Sequence, residues 1–143
     1  MSSPAEDVRT YLATALAPPV TTPPTVDPWG YYASREPETP DLALTVYDTG
    51  GMDPNAKWSI DHPTVQVRVR GAVDGYAAAW TKALAVKTAL LGIAPGTITG
   101  YQGCWQRGDI FSGGYDDLNR PWITLNFEFL RTPSAAGNRA ATS

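Results

Sequence analysis

Thr64-Val65-Gln66-Val67-Arg68-Val69-Arg70-Gly71 is followed, after Ala72-Val73-Asp74, by Gly75-Tyr76-Ala77-Ala78-Ala79-Trp80-Thr81-Lys82-Ala83-Leu84-Ala85-Val86-Lys87-Thr88-Ala89-Leu90-Leu91. The first half alternates strictly. Val65, Val67 and Val69 fall on one side, and Gln66, Arg68 and Arg70 on the other, the pattern of a strand with one buried and one wet face. Gly71 ends that strand. Asp74 stands where a helix N-terminus favours a carboxylate, and Gly75 to Leu91 reads as one Ala-rich helix. Its large apolar residues Tyr76, Trp80, Leu84, Leu90 and Leu91 are spaced mostly to share one side. A valine face needing cover, followed by a helix able to supply it, predicts a sheet with a helix packed on it.

Outward from this unit, Leu42 to Tyr47 alternates in the same way, with Leu42, Leu44 and Val46 on one face and Ala43, Thr45 and Tyr47 on the other. Trp122 to Arg131 is a further strand, with Ile123, Leu125, Phe127 and Phe129 inward and Thr124, Asn126 and Glu128 outward. Trp29 to Ala33 reads as a short strand, and Thr97 to Gln106 as one interrupted by glycine. Ser3 as N-cap, Pro4 at the first helical position and Glu6 three residues on predict an N-terminal helix over 3–16. Its stripe is Val8, Tyr11, Leu12, Ala15 and Leu16. Residues 17–28 contain five prolines and predict an extended spacer. The stretches 48–63 and 107–120 read as long loops, and 132–143 as a disordered tail. The expected organisation is a helix at 1–16, the spacer, and one α+β domain over 29–131. That domain is expected to hold four or five strands in an antiparallel or mixed sheet, with helices on one face.

Composition excludes several classes. A chain of 143 residues with five Trp and seven Tyr can bury a single core. A net charge of −3 speaks against a general nucleic-acid binder, which works by neutralising phosphates. One cysteine, Cys104, allows no intrachain disulfide. No apolar run reaches the ~20 residues needed to cross a bilayer, and the N-terminus lacks a secretory pattern. The expectation is a soluble protein made in a cytoplasm, with no membrane partner.

Catalytic and metal chemistry find little support. His62 is the one histidine, and no further nitrogen or sulfur ligands stand at metal-site spacing. Cys104 has no second histidine for a triad and reads as a small hydrophobe. Asp109, Asp116 and Asp117 do not match an EF-hand. Asp48-Thr49-Gly50-Gly51 lacks the lysine and hydroxyl residue that complete a phosphate loop. Neither catalytic residues, nor a metal site, nor a cofactor is expected.

More informative is the row Gln66, Arg68, Arg70. Cross-strand pairing of an arginine with Glu128 is one account; a neighbouring subunit or a nucleic-acid channel is another, and the acidic chain favours the subunit. The subunit-interface candidates are therefore Arg68, Arg70 and Glu128, with Trp58, Phe111, Tyr115 and Asp116 from the two loops. Substituting both arginines with Ser is expected to impair assembly and leave the monomer folded.

Several stretches in order resemble one family. They are Leu44-Thr45-Val46-Tyr47-Asp48-Thr49-Gly50-Gly51, His62-Pro63 with the strand to Gly71, and the helix from Tyr76 with Lys87 and Leu90. They continue with Trp105-Gln106-Arg107-Gly108-Asp109-Ile110-Phe111, Gly114-Tyr115-Asp116 and Asn119-Arg120-Pro121. Together they resemble the minor capsid or tail terminator proteins of long-tailed bacteriophages, over about residues 6 to 131. The resemblance implies an α+β fold and a virion subunit in a ring, usually of six. That ring ends the tail tube, joins it to the neck, and lets DNA pass through its lumen. The implied partners are further copies of the chain, the tail tube protein, and neck, head-completion or portal-side proteins. Residues 17–28 and those after 131 have no counterpart in the pattern. A head-completion or neck protein would show the same features. A carbohydrate-binding module using Trp58, Trp105 and Tyr115 is the reading from another class, and a small hydrolase using His62 is a third.

Overall fold

The computed structural model describes residues 3–16, 29–39, 41–55 and 60–132, of which 51–55 and 60–61 are described by backbone alone. In chain order the elements are α1 (Pro4–Ala15), β1 (Gly30–Ala33), β2 (Ala43–Asn55), β3 (Ile60–Arg70), α2 (Tyr76–Leu91), β4 (Tyr101–Gln106), β5 (Phe111–Tyr115) and β6 (Pro121–Arg131). The fold is α+β.

The six strands form one mixed sheet in the order β1-β2-β3-β6-β4, with β5 also paired to β6. β1 runs parallel to β2, and every other pairing is antiparallel. β6 is shared lengthwise along its outer edge. β4 pairs with its residues 127–131 and β5 with 121–124, so the sheet is five strands wide at the level of β1 and β5 and four strands wide at the level of β4. The register places Val65 opposite Phe127, Val67 opposite Leu125 and Val69 opposite Ile123. The predicted valine face thus meets the predicted β6 face. Both are fully buried, with Leu44 and Val46 beside them.

Both helices join the core on that side. α1 contributes Ala5, Val8 and Leu12, and Ser3 Oγ accepts a hydrogen bond from Glu6 N at 3.2 Å, as the cap predicts. The Asp48 carboxylate accepts from Ala5 N (2.9 Å), the Tyr101 hydroxyl donates to Asp7 Oδ2 (2.8 Å), and the Tyr11 hydroxyl donates to Ala89 O (3.2 Å). These three bonds tie α1 to β2, to β4 and to α2.

α2 packs only partly as expected. Its fully buried residues are Ala79, Ala83, Val86 and Leu90, whereas Leu84 and Leu91 are exposed. Leu90 is buried and Tyr76 and Trp80 pack against the core as expected, but small residues let the helix backbone approach the sheet closely, and Ala79 and Ala83 complete the buried side in place of Leu84 and Leu91. Asp74 does not cap the helix. It adopts φ +57°, and Gly75 occupies the cap position without a side-chain bond.

Two predicted loops contain strand. The 48–63 stretch is largely the two arms of a hairpin, because β2 runs to Asn55 and β3 starts at Ile60. The 107–120 stretch contains β5, which bulges at Gly113–Gly114 against Trp122. A Cβ on Gly113 would lie 2.0 Å from the Trp122 ring, so a turn-forming residue pair here serves a strand bulge. The 17–28 spacer, Trp58 and residues 133–143 of the tail lie outside the described residues.

Candidate functional site

No helix of the described residues covers the second face of the sheet. β3 presents Thr64, Gln66, Arg68 and Arg70 there, and β6 presents Trp122, Thr124, Asn126 and Glu128 opposite them. Trp105 of β4 stands opposite Glu128, and Phe111 of β5 opposite Thr124. Gln66 Nε2 donates to Asn126 Oδ1 at 3.3 Å across the strands.

The predicted Arg–Glu128 pair does not form. Glu128 is opposite Thr64, four residues from the level of Arg68, or about 13 Å along the strand. It pairs instead with Arg107 (Nη1 to Oε1, 2.6 Å) and lies 3.6 Å from His62 Nδ1. Arg68 and Arg70 both turn to Glu36, which follows β1. Arg70 Nη1 donates to Oε1 at 2.8 Å, and Arg68 Nε lies 3.0 Å from Oε2.

The two arginines differ sharply in exposure. Arg68 keeps 31% of its side chain exposed, and its guanidinium lies 4.4 Å from the Trp122 ring centroid. Trp122 in turn lies 6.4 Å from the exposed ring of Phe111. Glu36, Arg68, Trp122 and Phe111 therefore form a continuous ladder across the sheet. Arg70 has only 3% exposed and also donates from Nε to Asp41 O at 3.0 Å. It is a buried brace, which corrects its reading as a wet-face residue. A second buried arginine, Arg120, holds the same segment, with Nη1 donating to Glu38 O at 2.6 Å and pairing with Asp41 Oδ1 at 3.2 Å. Neither Glu36 nor Arg120 was singled out as a site from sequence, because Glu36 meets Arg70 across 34 residues and Arg120 meets Glu38 across 82.

The turn between β5 and β6 is built on Asp116. Its Oδ1 accepts from Leu118 N (3.0 Å) and Arg120 N (2.9 Å), and its Oδ2 from Arg120 Nε (2.8 Å). Desolvation, the largest single influence, raises the Asp116 pKa. The bonds from Arg120 N, Leu118 N and the Arg120 side chain together outweigh it and hold the carboxyl below the usual range. Asp116 thus fixes the turn that displays Asp117 and Leu118. Tyr115, just before it, and Leu118 are each 53% exposed.

The face carries groups suited to recognition. Burial pushes the Cys104 thiol up to about 12, so it stays protonated at neutral pH. No group of three or more His, Cys, Asp and Glu poised for a metal exists among the described residues. None of the described helices is long and apolar enough to cross a membrane. What the face offers is exposed rings at Trp105 and Phe111, each about half exposed, set among paired charges. Aromatic anchors with a charged rim are the make-up of a protein–protein contact.

No curated protein sequence matches the chain at a significant level. A family model described as bacteriophage tail terminator protein matches residues 15–133, which span β1 to β6 and both sheet faces. The chain belongs to the bacteriophage tail terminator family and is a structural protein of the phage tail.

Proposed function

We propose that this protein is a ring-forming tail terminator subunit. It assembles with further copies of itself, six in the arrangement the resemblance implies, on the head-proximal end of the tail tube. The ring stops tube growth and joins the tail to neck or head-completion proteins, and DNA passes through its lumen. The family match over residues 15–133 is the observation that carries this reading. The half-exposed rings of Trp105, Phe111 and Tyr115 support it, since a ring subunit needs surfaces for neighbours on both sides. The net charge of −3 fits a lumen that DNA traverses without being gripped. The protein acts structurally, without a cofactor and without catalysis.

Mixing purified protein with polymerising tail tube protein of the same phage tests the reading. Tubes that stop growing, with added density at one end under the electron microscope, are expected. Tubes of unchanged length with bare ends would overturn it.

A further inference from the structure

The turn after β5 and the cleft beside β4 have complementary chemistry. The turn ends in Leu118, with the exposed carboxylate of Asp117 beside it. It is unusually well braced for a surface turn. Asp116 accepts from two of its backbone N–H groups, Arg120 is 5% exposed beneath it, and Asn119 is held at φ +61°. A neighbouring turn locks on through Asp74 N donating to Asn119 O at 3.0 Å, with Asp74 itself at φ +57°. Asn and Asp are the non-glycine residues that take the left-handed region most readily, so both turns adopt it at little cost. Their effect is to hold a leucine and an acid in a fixed projection, which reduces the ordering lost on binding.

The cleft has a volume of about 450 Å³ and is lined by His62, Trp105, Gln106, Arg107, Gly108 and Glu128. Trp105 offers an apolar wall that is 51% exposed. Arg107 is 63% exposed at its side chain, and its one guanidinium nitrogen bonded to Glu128 leaves donors facing outward.

We propose that the Asp117–Leu118 turn of one copy docks in the Trp105–Arg107 cleft of the next. Leu118 packs on the Trp105 ring, and the Asp117 carboxylate meets the outer side of the Arg107 guanidinium. Occupation by a second copy, and not by another protein, follows from complementarity within one chain: an acid-tipped apolar knob, and a cleft whose inner acid Glu128 is already paired and whose outer rim offers the Trp105 ring and the exposed Arg107 guanidinium, with no residue shared between the two. A contact between two different surfaces of identical subunits is heterologous, the kind that closes into a ring. The pairing rests on the ring reading above and assigns its side-to-side contact.

Mixing two defective variants tests it. Leu118→Ser loses the knob but keeps the cleft, and Trp105→Ala loses the cleft but keeps the knob. Each alone is expected to weaken self-association about tenfold or more by analytical ultracentrifugation. Mixed in equal amounts they should form a heterodimer that grows no further, since each supplies one intact surface. Asp117→Asn and Arg107→Ser serve as a second pair, and thermal melting confirms that all four variants fold. Wild-type assembly unaltered by the variants, or folded variants that remain monomeric when mixed, would overturn the pairing and leave the ring reading standing. A wild type that stays monomeric both alone and with tail tube protein would overturn both.

Discussion

Arg70 and Arg68 lie two residues apart on one strand and share Glu36, yet they should respond very differently to substitution. Methionine at position 70 keeps the aliphatic length and removes the cation. The lost bonds include those to Glu36 Oε1 at 2.8 Å, Asp41 O at 3.0 Å and Glu38 O at 3.4 Å, made by a side chain that is 3% exposed. Removing one partner from a buried ion pair costs about 3–5 kcal/mol, because the other is left uncompensated. Glu36 retains Arg68 on its second oxygen, which places the expected cost at about 2–4 kcal/mol. Arg68→Met removes an ion pair of a side chain that is 31% exposed, together with a stack on Trp122 at 4.4 Å. Such contributions are about 0.5–1.5 kcal/mol together. In a domain of this size that corresponds to melting shifts of about 6–16 °C for Arg70→Met and about 2–6 °C for Arg68→Met. Urea denaturation supplies the free energies and thermal melting the shifts. In the Glu36→Gln background Arg70→Met should cost less, as the stranded charge is gone. Equal costs for the two single variants, or an Arg70→Met loss below about 1 kcal/mol, would refute the assignment of Arg70 as a buried brace. The double Ser variant is accordingly a poor test of assembly, since it damages the monomer as well.

Gly71→Ala should cost about 1–3 kcal/mol in urea denaturation, because a Cβ there would sit 2.9 Å from Gly75 O and 3.0 Å from Pro121 Cγ. Tyr101→Phe removes the hydroxyl that donates to Asp7 at 2.8 Å, and is expected to cost about 1 kcal/mol and to speed amide exchange within α1. Burial raises the Cys104 pKa above its unfolded value of 9.0 to about 12, so the fold favours the neutral thiol. Its stabilisation is complete below pH 9.0 and is lost as the pH rises towards about 12, and Cys104→Ala should flatten that alkaline fall in the urea midpoint. Phe111→Ala removes a half-exposed ring that stands 6.4 Å from Trp122, so it should cost the monomer about 0.5–1.5 kcal/mol in urea denaturation while weakening any contact made by the sheet face in size-exclusion chromatography.

The parts of the fold that were legible from sequence are those governed by local periodicity. Val65, Val67 and Val69 alternate because one strand face is buried, and the same holds for Ile123 to Phe129, so both strands and their facing could be read directly. The helix cap at Ser3 is equally local. β5 was hidden because Phe-Ser-Gly-Gly-Tyr has turn composition, and only the Trp122 ring above Gly113 explains why a strand needs glycine there. The buried side of α2 was legible only in part: Tyr76, Trp80 and Leu90 lie on it, whereas Ala79 and Ala83, and not Leu84 or Leu91, set how near the helix sits. The arginines were singled out as interface candidates with Glu128 as the alternative partner, and the structure pairs both with Glu36 instead. Pairing across strands depends on register, and Glu36 reaches them from a loop whose path no periodicity encodes. The candidate surface was legible through its aromatics, Phe111 and Tyr115, while Arg107 and Leu118 gained meaning only from the cleft and the braced turn.

In the function proposed above, a ring of this protein stands between the tail tube and the neck. An electron cryo-microscopy map of the intact virion tests it most directly. The account predicts that the six-stranded sheet with its two helices fits density repeated around the tail axis at the head-proximal end of the tube. Density for the fold found only in the capsid shell, or only at the distal tip, would contradict it.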